Sequence, residues 1–396
     1  MFLLKNLLLV GSYCKDAGKT EFICRIIKHI LKKKVTVPII GIKFNVIHKY
    51  ENYELYGKSC FNKFDIQQDY IDNKLSCNKD TNRILQSGGD VVFWVRVFPE
   101  FIDECIFALV DTIKSKMDHD INKCCIICES NTMRLSVHPG LFLIINPKNN
   151  NYIKQSCRNI INFADRIITF EKSYNNFEFN FDNLNFKNSH WYLQEEATVI
   201  ILAGGNSSRF ESDKYNIFIN NLTMLQHICI SLKFNFKQII ISVGTKDKLL
   251  NSIFFNDFTI VEDEFYNKGP ISGILSALKY SNNNINFITT CDNPFNCMSY
   301  VRKALNIMYL NSNLHAVIPY VNNIQNVEPL FAIYNKLIMI DLLEKYIKKD
   351  NIKLSKLLEY IKCYYIKLLE FEYIFNINSR EDFNSYLNFS SKYFKL

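Results

Sequence analysis

Twice along the 396 residues a short apolar stretch runs straight into a glycine turn and then into a helical pattern. The first start is 6–10, then Gly11 to Lys19, then Phe22, Ile23, Ile26, Ile27 and Ile30 at helical spacing. The second is 198–202, then 203–214, then a helical pattern at 225–234. Further short apolar runs follow each start, at 39–43, 91–97, 125–128 and 141–145, and again at 238–243, 287–290 and 316–319. Strands alternating with helices cannot close as hairpins, so the expected fold class is α/β, with mostly parallel sheets covered by helices in both halves. At about 100–200 residues per domain the length also suits more than one domain. The boundary falls between 171 and 196, a stretch rich in Asn and poorly periodic, in which alternating Phe residues suggest a packed edge element. The expected domains are 1–185 and 196–396.

Composition narrows the class. The chain is 48% hydrophobic and 22% charged, as globular proteins are. No run reaches the ~18 apolar residues of a membrane span. The apolar start is broken by Lys5 and lacks a small-residue cleavage site, so it reads as a strand and not as a signal peptide. Thirteen cysteines without an export signal imply reduced thiols and a cytoplasmic protein. The formal charge of +8 is diffuse: residues 1–196 carry 26 Lys and Arg against 22 Asp and Glu, and residues 197–396 carry 21 against 17, a net +4 in each. Neither nucleic acid nor a membrane is therefore expected as a partner. Cys124, Cys125 and Cys128 lie in 121–128, which reads as a buried strand where Cys acts as a small hydrophobe. The seven histidines are scattered and take no assigned role.

The second glycine turn carries the chemistry of a phosphate loop. Leu202, Ala203, Gly204 and Gly205 follow the strand, and glycines let backbone N–H groups approach an anion without a Cβ in the way. Arg209 and Lys214 add positive charge beyond it. A Gly-Gly pair by itself more often marks an ordinary turn. The segments that follow change the weight. The turn leads to Asp213 and Lys214; Val261, Glu262 and Asp263 lead to Gly269-Pro-Ile-Ser-Gly273; Cys291 and Asp292 precede Asn-Pro-Phe295; Glu328-Pro-Leu-Phe-Ala-Ile-Tyr334 follows; and Asn376, Asn378 and Asp382 lie near the end. In these five segments, over about 198–385, the chain resembles the molybdenum cofactor guanylyltransferase family, MobA-type nucleotidyltransferases.

That resemblance implies a Rossmann-like, GT-A-like domain that transfers GMP from GTP to the terminal phosphate of molybdopterin and releases pyrophosphate. It implies Mg²⁺ as cofactor, and molybdoenzymes or their chaperones as further partners. Leu202, Ala203, Gly204, Gly205 and Lys214 match the family's nucleotide loop and its phosphate-contacting lysine. Asp263 matches a nucleotide-binding aspartate, Asp292 the magnesium-binding one, and Arg209 joins Lys214 and Asp292 as a catalytic candidate. A family asparagine falls within 242–244 and is not assigned. One departure stands out: Glu211 occupies a position that is usually glycine. A related cytidylyltransferase family shares the framework, so CTP or another acceptor is the alternative, and a non-catalytic nucleotide or cofactor carrier is a third.

The first turn, 10–20, has the strand–loop–helix setting of a Walker A loop. Gly18 and the helix start offer N–H groups to phosphate, Lys19 reaches the β- and γ-phosphates, and Thr20 can ligate Mg²⁺. The spacing is a variant, with Tyr13 where the first glycine usually stands and Gly11 two residues earlier. With Gly18, Lys19, Thr20, Gly41, Lys43, Lys79 through Arg83 and Gly88, this half is similar to the P-loop proteins that accompany such transferases (MobB-type), which implies a P-loop NTPase-like sheet. Glu129 ends an apolar strand. It could hold Mg²⁺ or orient water, and equally it could sit beside a helix N-cap.

Overall fold

The computed structural model describes residues 2–48, 62–69, 80–117, 120–204, 218–219, 221–244, 253–265, 268–294, 297–349, 353–368, 374 and 376–393. The chain divides into two compact units, Met1–Leu193 and Gln194–Leu396.

The first unit runs β1 (Phe2–Ser12), α1 (Lys19–Lys32), β2 (Ile39–Val46), β3 (Phe64–Asp69), α2 (Asp80–Gln86), β4 (Val91–Val97), α3 (Ile102–Met117), β5 (Cys125–Glu129), β6 (Val137–Pro147), α4 (Gln155–Arg158), β7 (Arg166–Glu171), β8 (Asn176–Phe177), and a hairpin of β9 (Leu184–Lys187) and β10 (His190–Leu193). The sheet order is β3-β4-β2-β5-β1-β6-β7-β8. Its six inner strands are parallel, and the two edges, β3 and β8, are antiparallel. Along β1 the side chains alternate between two cores. Leu8 and Val10 pack with α1 residues on one face; Leu7 and Leu9 pack with α3 residues on the other. This doubly buried pattern explains why the strand reads as an unbroken apolar run. On α1 the buried Phe22, Ile23, Ile26, Ile27 and Ile30 form one stripe, while Glu21 near its start and Lys32 at its end suit the helix dipole.

The second unit runs β11 (Glu195–Leu202), a short hairpin of β12 (Phe218–Ile219) and β13 (Leu222–Thr223), α5 (Met224–Lys233), β14 (Phe236–Val243), β15 (Thr259–Glu262), α6 (Pro270–Tyr280), β16 (Ile285–Thr290), α7 (Met298–Leu310), β17 (Ala316–Tyr320), β18 (Ala332–Asn335), α8 (Lys336–Tyr346), α9 (Leu354–Leu357), β19 (Cys363–Lys367) and α10 (Arg380–Tyr393). Its sheet order is β15-β14-β11-β16-β18-β17-β19, with β18 antiparallel to both neighbours. Val199 and Ile201 face one core; Ile200 and Leu202 face the other.

In each sheet the first strand is central, and the chain moves first to one side of it and later to the other. The loop after β1 and the loop after β11 therefore both open at a topological switch point, where ligands of open α/β sheets bind.

Three elements differ from the sequence expectation. The edge at 185 falls inside the β9–β10 hairpin, and the compact unit ends at Leu193 because Leu184, Trp191 and Leu193 are buried in the first core. Trp191 fastens it, its ring N–H donating to the carbonyls of Asn6 (3.0 Å) and Ile126 (3.3 Å). Residues 121–123 form a 3₁₀ turn, so the strand begins only at Cys125. The Asn6 side chain pins that turn, donating to the carbonyls of Ile121 (2.7 Å) and Cys124 (2.8 Å). Finally, β18 enters the second sheet antiparallel, which alternation of strands and helices did not show. No helix among the described residues is long and apolar enough to cross a membrane.

The β1–β6 ladder shifts register between Leu4 and Leu8. At that point a Cβ on Gly140 would lie 1.9 Å from the Lys5 carbonyl oxygen. Neither partner is a movable side chain, so Gly140→Ala is expected to destabilise the first unit by about 3 kcal/mol, the upper range for overpacking. Urea unfolding of the full chain checks this, with a wild-type midpoint as the opposing result.

Candidate functional site

In the second unit the end of β11 is held from both sides. The Ala203 N–H donates to the Ser242 carbonyl at 2.8 Å, and the Cys291 N–H donates to the Leu202 carbonyl at 3.0 Å. Leu202 and Ala203 are buried and Gly204 is exposed. A Cβ on Gly204 would stand 3.1 Å from the Gly244 nitrogen and 3.3 Å from an Asp263 carboxylate oxygen. The turn thus lies close against the end of β14 and the start of the loop after β15, where a side chain at 204 would crowd Gly244 and Asp263.

Asp263 is set by three contacts. Its N–H donates to the Val243 carbonyl at 3.0 Å. Its Oδ1 accepts from Ser242 Oγ at 2.6 Å. Gly273 of α6 sits against the pair, since a Cβ there would be 2.6 Å from Ser242 Oγ and 3.2 Å from Asp263 Oδ1. Two further α6 serines fasten the same loop: Ser276 Oγ accepts from the Glu264 N–H (2.9 Å) and Ser272 Oγ from the Phe265 N–H (3.0 Å). Burial raises the Asp263 carboxyl above its usual range, opposed by the Ser242 bond and reinforced by Glu262.

Asp292 stands one residue beyond the Cys291–Leu202 bond, so it shares an edge with the glycine turn. Thr290 Oγ1 donates to its Oδ1 at 2.5 Å, and its carbonyl accepts from the Ile377 N–H at 2.8 Å. That second bond draws the segment before α10 to the site. Glu328 lies close enough for Asp292 to raise its carboxyl, after burial as the larger cause. The structure therefore brings together Leu202, Ala203, Gly204, Asp263 and Asp292 at one edge. Gly205, Arg209, Glu211 and Lys214 lie outside the described residues. Ser272 lies within the 269–273 segment but received no role, and Ser242, Thr290 and Ser276 were not singled out from sequence, because a lone serine or threonine carries no spacing signal of its own.

The first unit holds a second constellation. Gly18 is left-handed (φ 84°) and stands at the start of α1, where a Cβ would meet the Phe170 ring at 2.8 Å. Thr20 Oγ1 donates to Glu129 Oε2 at 2.8 Å, and Lys19 Nζ lies 3.5 Å from Glu129 Oε1. Glu129 thus faces the start of α1, a position compatible with either reading of it, cation or water holder or neighbour of the helix start. Gly11 has a different job from lining phosphate: a Cβ there would be 2.9 Å from Asn131 Oδ1, and Asn131 brackets the backbone of Ser12, accepting from its N–H (2.8 Å) and donating to its carbonyl (3.0 Å). Lys79 lies outside the described residues, and Lys43 pairs with Asp80. Cys125 and Cys128 are buried, and their thiols are pushed well up by that burial.

Hard oxygen donors recur at both edges: a carboxylate with a hydroxyl beside it, Asp292 with Thr290 and Glu129 with Thr20. Among the described residues no group of three or more His, Cys, Asp and Glu could hold a metal. One or two protein donors, with phosphates and water completing the shell, is how Mg²⁺ is commonly bound.

A carboxyl raised in the folded state favours folding only while it is protonated, so Asp263 withdraws stability as pH rises above the ordinary carboxylate range. Asp263→Asn keeps an acceptor for Ser242 and removes that penalty. The variant is expected to melt above wild type at pH 7, with the gap closing in acid. Thermal scans at both pH values check it, and a lower melting temperature at pH 7 would contradict it.

Comparison with known proteins adds to this geometry. Residues 199–362 match the family described as "MobA-like NTP transferase domain". A Thermococcus sibiricus protein named "Probable molybdenum cofactor guanylyltransferase" is 30% identical over 190 residues, covering 46% of this chain and 93% of that protein. One of Syntrophotalea carbinolica, named "Molybdenum cofactor guanylyltransferase", is 26% identical over 197 residues, covering 48% of this chain and 90% of that protein. A solved structure of molybdopterin-guanine dinucleotide biosynthesis protein A from Archaeoglobus fulgidus is similar at 21% identity and a TM-score of 0.42, over 49% of this chain and 99% of that one. Through its C-terminal unit, the chain belongs to the MobA-like NTP transferase family.

Proposed function

We propose that the C-terminal unit transfers GMP from GTP to the terminal phosphate of molybdopterin with release of pyrophosphate, and that the N-terminal unit is an accessory P-loop domain that binds a nucleoside triphosphate. One observation carries the reading. Asp292 directly follows Cys291, whose N–H is bonded to Leu202 at the end of β11, in a unit whose relatives are named guanylyltransferases over nearly their whole length.

In this reading an oxygen of the molybdopterin phosphate attacks the α-phosphorus of GTP, the bond to the β-phosphate's bridging oxygen breaks, and pyrophosphate leaves. The attacking phosphate monoester has a second pKa near ~6 and is mostly dianionic at neutral pH, so no side chain need remove a proton. The work left to the protein is positioning and charge neutralisation. The 202–204 backbone receives the phosphates, Asp263 holds the nucleotide, and Lys214 and Arg209 supply the cations that the family resemblance assigns. Asp292 would hold Mg²⁺, kept in orientation by Thr290; when bound, the ion neutralises phosphate charge. In the first unit Thr20 and Glu129 would hold a second Mg²⁺ beside Lys19.

Pyrophosphate release with GTP, CTP and ATP, with and without molybdopterin, tests the reading. Release is expected with GTP only when molybdopterin is present, and Asp292→Ala should lower it by about 100-fold or more. Lys19→Ala should abolish nucleotide hydrolysis by the first unit while transfer persists. A preference for CTP would move the assignment to cytidylyl transfer. No release from the folded protein with any nucleotide would favour the carrier, in which Glu211 has displaced the phosphates. Equal loss of transfer from both variants would make the two units one catalytic device.

A further inference from the structure

In the first unit two lysine ammonium groups converge on one hydroxyl. Lys19 Nζ lies 3.2 Å from Ser12 Oγ, and Lys154 Nζ lies 3.4 Å from the same oxygen. The Ser12 hydroxyl in turn donates to the Cys14 carbonyl at 2.7 Å, so it accepts from the lysines. Lys154 arrives from the turn between β6 and α4, far from Lys19 in sequence, and is locked to the loop by its own backbone: its N–H donates to the Tyr13 carbonyl at 2.8 Å, while the Tyr13 N–H donates to the Ile145 carbonyl at 3.0 Å. Lys19 has Glu129 at 3.5 Å. Among the described residues Lys154 has no carboxylate within 4.0 Å.

Two like charges on one hydroxyl, one of them with no carboxylate within 4.0 Å and Glu129 only farther off, form a repulsive arrangement in a partly buried place. A merely structural lysine would gain by turning to water, as long charged side chains usually do. The loop backbone instead holds Lys154 where a polyanion would sit, beside Gly18, Lys19 and the first N–H groups of α1.

We infer that Lys154 is the second cation of the P-loop, acting with Lys19 and Ser12 as a two-ammonium cradle for a chain of linked phosphates, the tail of a nucleoside triphosphate or a free inorganic polyphosphate. The assignment rests on the P-loop reading of this unit and extends it to a residue that lies outside the 10–20 motif. The electrostatics agree: burial, with Lys19 as the next cause, brings the Lys154 ammonium down to about 8, against the opposing pull of Cys157, Glu129 and Cys14. An arriving phosphate chain would relieve that repulsion.

The test is calorimetric titration of the full chain with MgGTP, MgATP and inorganic tripolyphosphate, in wild type, Lys19→Ala, Lys154→Met and Lys154→Arg, with melting temperatures of each. The binding lost in Lys19→Ala defines the first unit's share. Lys154→Met is expected to weaken that share about 10- to 100-fold, the range for a charge-assisted bond to phosphate, while Lys154→Arg stays within about threefold of wild type. Because Met removes a repelled, partly buried charge, its melting temperature should equal or exceed that of wild type. Tighter binding of MgGTP and MgATP than of tripolyphosphate identifies a nucleotide as the ligand; the reverse identifies the free polyphosphate. Wild-type binding by Lys154→Met, with loss in Lys19→Ala, would overturn the role of Lys154 and leave the P-loop standing. A lowered melting temperature in Lys154→Met with no rescue by Arg would reduce Lys154 to a loop anchor. Unchanged binding in Lys19→Ala would remove the P-loop reading and this assignment together.

Discussion

Each unit depends on one central strand that is buried on both faces and bonded on both edges. In the first unit Leu7, Leu8, Leu9 and Val10 are fully buried, and burial of an aliphatic side chain of that size is worth about 2 kcal/mol. A helix cap contributes about half as much, so the position of the strand, not the helix that follows, sets where the loop begins. In the second unit Val199, Ile200 and Ile201 are likewise fully buried, and Leu202 is nearly so. A strand held this firmly presents its C-terminal loop at a fixed point. Because the neighbouring strands lie first on one side and then on the other, that point is the topological switch point of the sheet.

What stands beside that point is supplied by other strand ends. In the second unit Ser242, Asp263 and the 290–292 segment come from the ends of β14, β15 and β16, and close packing of α6 through Gly273 leaves space for the Ser242–Asp263 pair. In the first unit Ser12, Glu129 and Lys154 come from the ends of β1 and β5 and from beyond β6. Among the described residues the two strand ends share a glycine turn and a strand-end carboxylate with a neighbouring hydroxyl. Their described charges differ: the second gathers Asp263, Asp292 and Glu328, with Asp263 and Glu328 raised by burial, and the first sets Lys19 and Lys154 near Glu129.

Much of the fold was legible along the chain because doubly buried strands are short, apolar and bounded by glycine or polar turns. The run 91–97 is the strand Val91–Val97, and 198–202 lies within Glu195–Leu202. The edges were less legible. Strand β3 (FDIQQD) carries as many polar residues as an exposed loop, and β18 is four residues long. Gly11 shows the same limit at a site: as a residue it invites a phosphate role, yet its neighbour in space is Asn131, more than a hundred positions away.

Sequence by itself determined the two strand–glycine–helix starts and their α/β setting, and marked Gly18, Lys19, Thr20, Gly204, Asp263 and Asp292 as candidates, because local apolar periodicity and turn chemistry act over a few residues. Only the tertiary structure decided that Thr20 meets Glu129, that Ser242 holds Asp263, that the backbone of Asp292 is tied to Ile377, and that Lys154 joins Lys19 on Ser12. Those pairings depend on which strands lie side by side, and strand order is set by the packing of the whole sheet.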